Sequence, residues 1–184
     1  MTQRVLDVPP PQRHPPTALD RVRAAIVSCL GLGYAPFASG TFGTLGGLAV
    51  VLLLEHLVCP RFGWHFGLAA AVAAALLLVI GIALGGFAER HYRLKDPGPF
   101  VLDEVVGYLV TVLRWKEGAP GRTELIVAFL AFRLFDVLKP WPARRLERLP
   151  SGFGIMLDDV VSALYALMLV TVLRDHFGAD KGWP

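Results

Sequence analysis

Residues 66–88 read FGLAAAVAAALLLVIGIALGGFA, a stretch without one charged side chain. As a helix it is long enough to cross the hydrocarbon core of a bilayer, which takes about 20 apolar residues. Its neighbours repeat the signal more weakly. Residues 45–59 are apolar but interrupted by Glu55, residues 160–173 are apolar but short for a span, and residues 123–139 carry Glu124 and Arg133. Composition points the same way: 54% of the 184 residues are hydrophobic and 18% charged, against about 25% charged in an ordinary globular domain. Mean hydropathy is +0.54. The chain reads as an integral membrane protein, and a soluble bundle around a very apolar core is the alternative.

The same periodicity predicts helices at about 44–58, 66–89, 104–115, 123–139 and 156–176. A further amphipathic helix over 19–32 carries Val22, Ala25, Ile26, Cys29 and Leu30 on one face, with Asp20 as its cap, and could lie along a membrane surface. No stretch alternates as a strand does. The expected fold class is therefore all-α, a bundle of about five to six helices, several of them membrane-embedded or very apolar. Residues 1–18 hold Pro9, Pro10, Pro11, Pro15 and Pro16 without an apolar run, so they read as a disordered leader and not a signal peptide. Residues 19–177 form one helical domain, and 178–184 a tail.

Polar residues fall between the apolar runs in four groups: Gly40-Thr41-Phe42-Gly43-Thr44, Asp103-Glu104, Arg133 with Asp136 and Lys139, and Asp158-Asp159. Short connections favour antiparallel neighbours. The first helix then starts at the Gly-Thr group, the third at Asp103-Glu104 and the fifth at Asp158-Asp159, while the fourth ends at Asp136 and Lys139. All four groups land on one end of the bundle, and the turns near 59–65 and 116–122 at the other end hold little that could do chemistry.

Each group has a plain reading beside the functional one. Acids favour helix N-termini, so either acidic pair could be a cap. Two such pairs meeting at one end repel, however, unless a cation lies between them. Hard cations such as Mg²⁺ take oxygen ligands. Arg133, Asp136 and Lys139, three residues apart, share one side of a helix and could be a salt-bridge ladder. In an otherwise apolar helix such residues point to function, and Arg and Lys suit a phosphomonoester. The Gly-Thr group could offer backbone N–H groups to an anion, although it lacks the Gly-Lys-Ser/Thr ending of a Walker loop.

Other chemistries find less support. His14, His56, His65, His91 and His176 have no ligand spacing, and Cys29 and Cys59 lie in no motif. The net charge of +3 contains no dense basic stretch, so nucleic acid is not an expected partner. Arg4, Arg13, Arg21 and Arg23 precede the first apolar segment, and Arg90, Arg93 and Lys95 follow the second. The positive-inside rule makes that side cytoplasmic.

The four groups together resemble the phosphatidylglycerophosphatase A family. The likeness covers about residues 31–172. It rests on Gly33-Tyr-Ala-Pro-Phe-Ala-Ser-Gly-Thr-Phe-Gly-Thr-Leu45, Phe100-Val-Leu-Asp-Glu-Val-Val-Gly107, Phe132-Arg-Leu-Phe-Asp-Val-Leu-Lys-Pro-Trp-Pro142 and Gly152-Phe-Gly-Ile-Met-Leu-Asp-Asp-Val160, in that order. Two departures are Ser39, where the family usually has proline, and Pro150-Ser151-Gly152, where a Gly-Gly pair is usual. Neither removes a charged group.

The resemblance implies a bacterial inner-membrane, Mg²⁺-dependent enzyme that converts phosphatidylglycerophosphate to phosphatidylglycerol and phosphate, with its site facing the cytoplasm. Asp103, Glu104, Asp136, Asp158 and Asp159 are the expected oxygen shell for metal. Arg133 and Lys139 are expected to offset phosphoryl charge, and Thr41 and Thr44 to hold a phosphate oxygen. Water is the expected nucleophile. The rival readings are a small membrane carrier with carboxylates in its path and a phosphatase acting on a soluble phosphomonoester.

Overall fold

In the computed structural model, which describes residues 16–114 and 121–177, the uncharged run forms the middle of a 27-residue helix. The elements in chain order are α1 (Ala18–Val27), a 3₁₀ turn (Leu32–Tyr34), α2 (Ser39–Leu53), a π turn (Leu54–Val58), α3 (Cys59–Phe62), α4 (Phe66–Tyr92), α5 (Leu102–Thr111), α6 (Arg122–Leu138), α7 (Ala143–Leu146) and α8 (Ser151–Phe177). The protein is all-α, and no strand element occurs among the described residues. Residues 1–15 of the leader expected at 1–18, the tail at 178–184 and most of the turn expected at 116–122 lie outside the described residues, while Thr17 and Ala18 belong to the start of α1 and not to a disordered leader.

Several helix limits differ from those expected. The first long helix begins at Ser39 and not at 44, so the Gly-Thr group is helical rather than a loop. It runs on through the π turn into α3, giving an apolar stretch Ser39–Phe62. The last helix begins at Ser151 and not at 156, which places Asp158 and Asp159 two turns inside it. α5 ends at Thr111 rather than 115. Around α1, Thr17 is the N-cap, and Asp20 closes the capping box from the third position instead of capping the helix itself.

Among the described residues, three helices are thereby long and apolar enough to cross a membrane: Ser39–Phe62, Phe66–Tyr92 and Ser151–His176. Side-chain placement agrees. α4 turns Ala69, Ala70, Ala74, Gly81, Gly85 and Ala88 inward, and leaves Leu68, Leu76 and Val79 outward. Large apolar groups outside and small ones at the contacts are what lipid-facing helices use, because lipid gives Leu no reason to hide. The closest crossing shows the consequence. A Cβ on Gly152 of α8 would lie 2.7 Å from the Ile82 Cα of α4, so only glycine lets these backbones approach.

α5 stands in the middle. Every residue from Val105 to Thr111 is buried, against α2, α4, α6 and α8. A helix apolar all round belongs in such a core. Tyr108 keeps its hydroxyl satisfied there by donating to the Leu125 carbonyl of α6 at 2.9 Å. The chain enters α5 through Pro97-Gly98-Pro99, with the Val101 N–H donating to the Val27 carbonyl at 2.9 Å. This holds the first turn of α5 beside the starts of α2 and α8 and the end of α6.

Candidate active site

The acids meet because α5 and α8 pack side by side. One carboxylate oxygen from each of Asp103, Glu104 and Asp159 lies within 4.8 Å of the other two. Helix capping does not account for this group. Val101 is the N-cap of α5 and makes no side-chain cap bond, while Asp159 is far inside α8. Asp103 accepts a hydrogen bond from the Glu104 N–H at 3.0 Å.

Burial pushes the Asp103 carboxyl well above its ordinary range, and the neighbouring Glu104 carboxylate adds to the rise. Glu104 is raised as well, again chiefly by burial. Two buried oxygens, Glu104 Oε2 and Asp158 Oδ1, have no hydrogen-bond partner among the described residues. A buried acceptor without a donor is costly, and a cation at this spot would remove that cost and reverse the direction of both shifts. Three convergent carboxylates, that of Glu104 with a buried oxygen left unpartnered, fit a hard divalent cation.

The basic groups flank the acids. Arg133 donates through Nη1 to Asp136 Oδ2 on the same face of α6. Lys139 does not extend that ladder, contrary to the expectation of three residues in register. It is the C-cap of α6 in the left-handed conformation, φ 43°, a position where glycine is commonest. Leaving the helix axis there, its Nζ donates to Asp158 Oδ2 at 2.5 Å and lies 3.9 Å from Glu147 Oε1. Burial works against its charge, but Asp158 and Asp159 more than offset that and hold the ammonium above its ordinary range. Asp136 and Asp158 thus each engage a cationic side chain, while Asp103, Glu104 and Asp159 form the convergent trio.

The start of α2 closes the site. A Cβ on Gly40 would lie 2.8 Å from Arg133 Nη1 and closer still to Glu104 Oε1, so the helix backbone lies directly against both side chains. Thr41 sits in the same turn, half-buried. Thr44 is placed differently from the sequence expectation: it is fully buried, and its hydroxyl donates to the Gly40 carbonyl at 2.8 Å. A hydroxyl used this way inside a helix is turned away from any ligand.

Two further acids belong to this neighbourhood and carry no motif of their own. Asp96, in the left-handed conformation before Pro97, is raised by burial and feels Lys139, Glu147 and Asp136. Glu147 approaches from the end of α7, where it is the C-cap. The only sequence signal for Asp96 was its place between α4 and the Pro-Gly-Pro turn.

Residues 25–174 match the family model for phosphatidylglycerophosphatase A. A protein of Haemophilus influenzae named phosphatidylglycerophosphatase A is 33% identical, over 78% of this chain and 83% of its own length. A protein of Escherichia coli with the same name is 26% identical, over 84% of this chain and 81% of its own. A protein of Bacteroides thetaiotaomicron, provisionally named a phosphatidylinositol-3-phosphatase, is 32% identical, over 78% of this chain and 88% of its own. No solved structure matches the chain.

Proposed function

The chain belongs to the phosphatidylglycerophosphatase A family, and from that premise we propose that this phosphatase removes the terminal phosphate of phosphatidylglycerophosphate in a Mg²⁺-dependent reaction. The products are phosphatidylglycerol and inorganic phosphate, and the reaction completes phosphatidylglycerol synthesis in the bacterial inner membrane. The observation that carries the reading is the convergence of Asp103, Glu104 and Asp159 beside Arg133 and Lys139.

In this reading Asp103, Glu104 and Asp159 hold the cation. A Mg²⁺ held by them would supply positive charge to offset that of the phosphoryl group and would lower the pKa of a water. Arg133 offers a planar fork to the phosphoryl group and Lys139 a compact charge. Asp136 keeps the guanidinium oriented, and Asp158 does the same for the ammonium. Positioning and electrostatics of this kind supply most of the catalysis in phosphoryl transfer. The Thr41 hydroxyl and the Ser39 and Gly40 N–H groups at the start of α2 would donate to a phosphate oxygen, while the Thr41 and Phe42 N–H groups donate to the Ala38 carbonyl and Thr44 supports the turn.

The site sits at the helix ends that also carry Arg21, Arg23, Arg90, Arg93, Arg144, Arg145 and Arg148. That bias supports a cytoplasmic face. It also argues against a carrier, whose binding groups usually lie near the bilayer midplane. The three long apolar helices support a lipid substrate over a soluble phosphomonoester.

Phosphate release by the purified protein tests the proposal, with phosphatidylglycerophosphate, phosphatidylinositol 3-phosphate and glycerol 3-phosphate as substrates. The first lipid should be preferred, and excess chelator should stop the reaction. Equal turnover of glycerol 3-phosphate would end the lipid reading. Full activity of metal-stripped enzyme in chelator would end the cation reading, and a trapped phospho-enzyme would replace water with a carboxylate as nucleophile.

A further inference from the structure

Past the end of α6 lies a cleft of about 430 Å³ whose wall includes Lys139, Trp141, Arg144, Arg145 and Arg148. The turn after α6 builds it, with Pro140 and Pro142 carrying the chain from Lys139 into the short α7. Arg144 and Arg148, four residues apart, are both exposed. Arg144 Nη2 donates to the Leu138 carbonyl at 3.4 Å, and the Arg145 guanidinium lies 5.7 Å from the centre of the Trp141 ring. Trp141 itself is 68% exposed, as an aromatic ring at a membrane interface would be.

Charge balance singles this cleft out. Among the described residues, none of the three arginines pairs with a carboxylate, whereas Arg133 and Lys139 next door are each matched to an aspartate. Three uncompensated guanidinium groups around one concavity call for an anion, and planar forks suit phosphate oxygens. Lys139 is shared: it bonds Asp158 in the acid site and also walls the cleft. The cleft therefore opens next to the position proposed for the scissile phosphate.

We propose that this cleft is a second anion subsite that takes the phosphodiester of a lipid headgroup, so that the enzyme recognises two phosphates and not one. The inference rests on the reading that the acid trio receives the terminal phosphomonoester. A phosphodiester could come from the substrate itself or from anionic phospholipid around the protein, and the shared Lys139 wall favours the substrate's own.

The test is the double variant Arg144→Gln/Arg148→Gln of the full chain, assayed on phosphatidylglycerophosphate and on phosphatidic acid, which has a phosphomonoester but no phosphodiester. In neutral detergent micelles, kcat/KM for the two-phosphate lipid should fall about 10- to 100-fold, mainly through KM, as expected for lost charge-assisted hydrogen bonds. The value for phosphatidic acid should change little. A loss on both lipids confined to anionic vesicles would keep the phosphodiester subsite but make surrounding lipid its source. Unchanged kinetics on every substrate would overturn it.

A binding measurement separates this from the catalytic reading. Glycerophosphoglycerol, a soluble phosphodiester headgroup, should change the fluorescence of the wild type but not of Trp141→Phe, and should act more weakly on the double variant. Absence of any Trp141-dependent response would overturn the subsite even if hydrolysis proceeds. Failure of the wild type to hydrolyse the two-phosphate lipid would overturn the proposed function while leaving this measurement to judge the cleft.

Discussion

Replacing Gly40 with alanine puts a methyl group 2.8 Å from Arg133 Nη1 and nearer still to Glu104 Oε1. Ordinary contact begins at about 3.5 Å, so both side chains must retreat by roughly 1 Å. Each is the far end of a flexible side chain, so the site gives way and the backbone does not. A displacement of about 1 Å in a positioned group can cost about 100-fold in rate. The same substitution in a helix favours folding by up to about 1 kcal/mol. Gly40→Ala should therefore lower phosphate release about 100-fold while the thermal midpoint stays level or rises.

Gly85→Ala is the matched control. Its methyl group would run into the backbone of Gly152, which cannot step aside, so stability should drop by about 1–3 kcal/mol as in other overpacked cores. Phosphate release in micelles and thermal unfolding of the two variants decide the matter. Wild-type turnover in a fully folded Gly40→Ala protein would refute the claim that α2 positions Arg133 and Glu104.

Asp159→Asn removes one of the three convergent carboxylates and should raise the Mg²⁺ concentration needed for half-maximal activity; an unchanged requirement in a cation titration would take Asp159 out of the cation shell. Asp136→Asn loosens Arg133 and should abolish phosphate release in a folded protein, whereas wild-type turnover would show that this pairing is dispensable. Tyr108→Phe deletes a buried hydrogen bond and should cost about 1 kcal/mol in denaturant unfolding with little effect on turnover, since the Tyr108 hydroxyl is bonded to Leu125 near the start of α6, away from the end that carries Asp136 and Lys139.

The alternation of polar groups with apolar runs was enough to place Asp103, Glu104, Lys139 and Asp159 at one end of the molecule, because short connections force neighbouring helices to run antiparallel. The all-α class followed from the same runs, and the family from four ordered motifs. Helix starts were less legible. Ser39 and Ser151 open α2 and α8 among glycines, residues with poor helix propensity whose small size serves the crossings with α5 and α4. Packing overrides propensity there.

Which acid faces which was not in the sequence. Adjacent residues on a helix point about 100° apart, and only the rotation of α8 against α5 assigned Asp159 to the trio and the Lys139 hydrogen bond to Asp158. The left-handed turn at Lys139, the approach of Asp96 and Glu147, and the arginine cleft of α7 also emerge only when the connections are folded back on the helix ends. Local sequence fixes the period and polarity of each helix, while the angle at which one helix meets the next depends on side chains contributed by both.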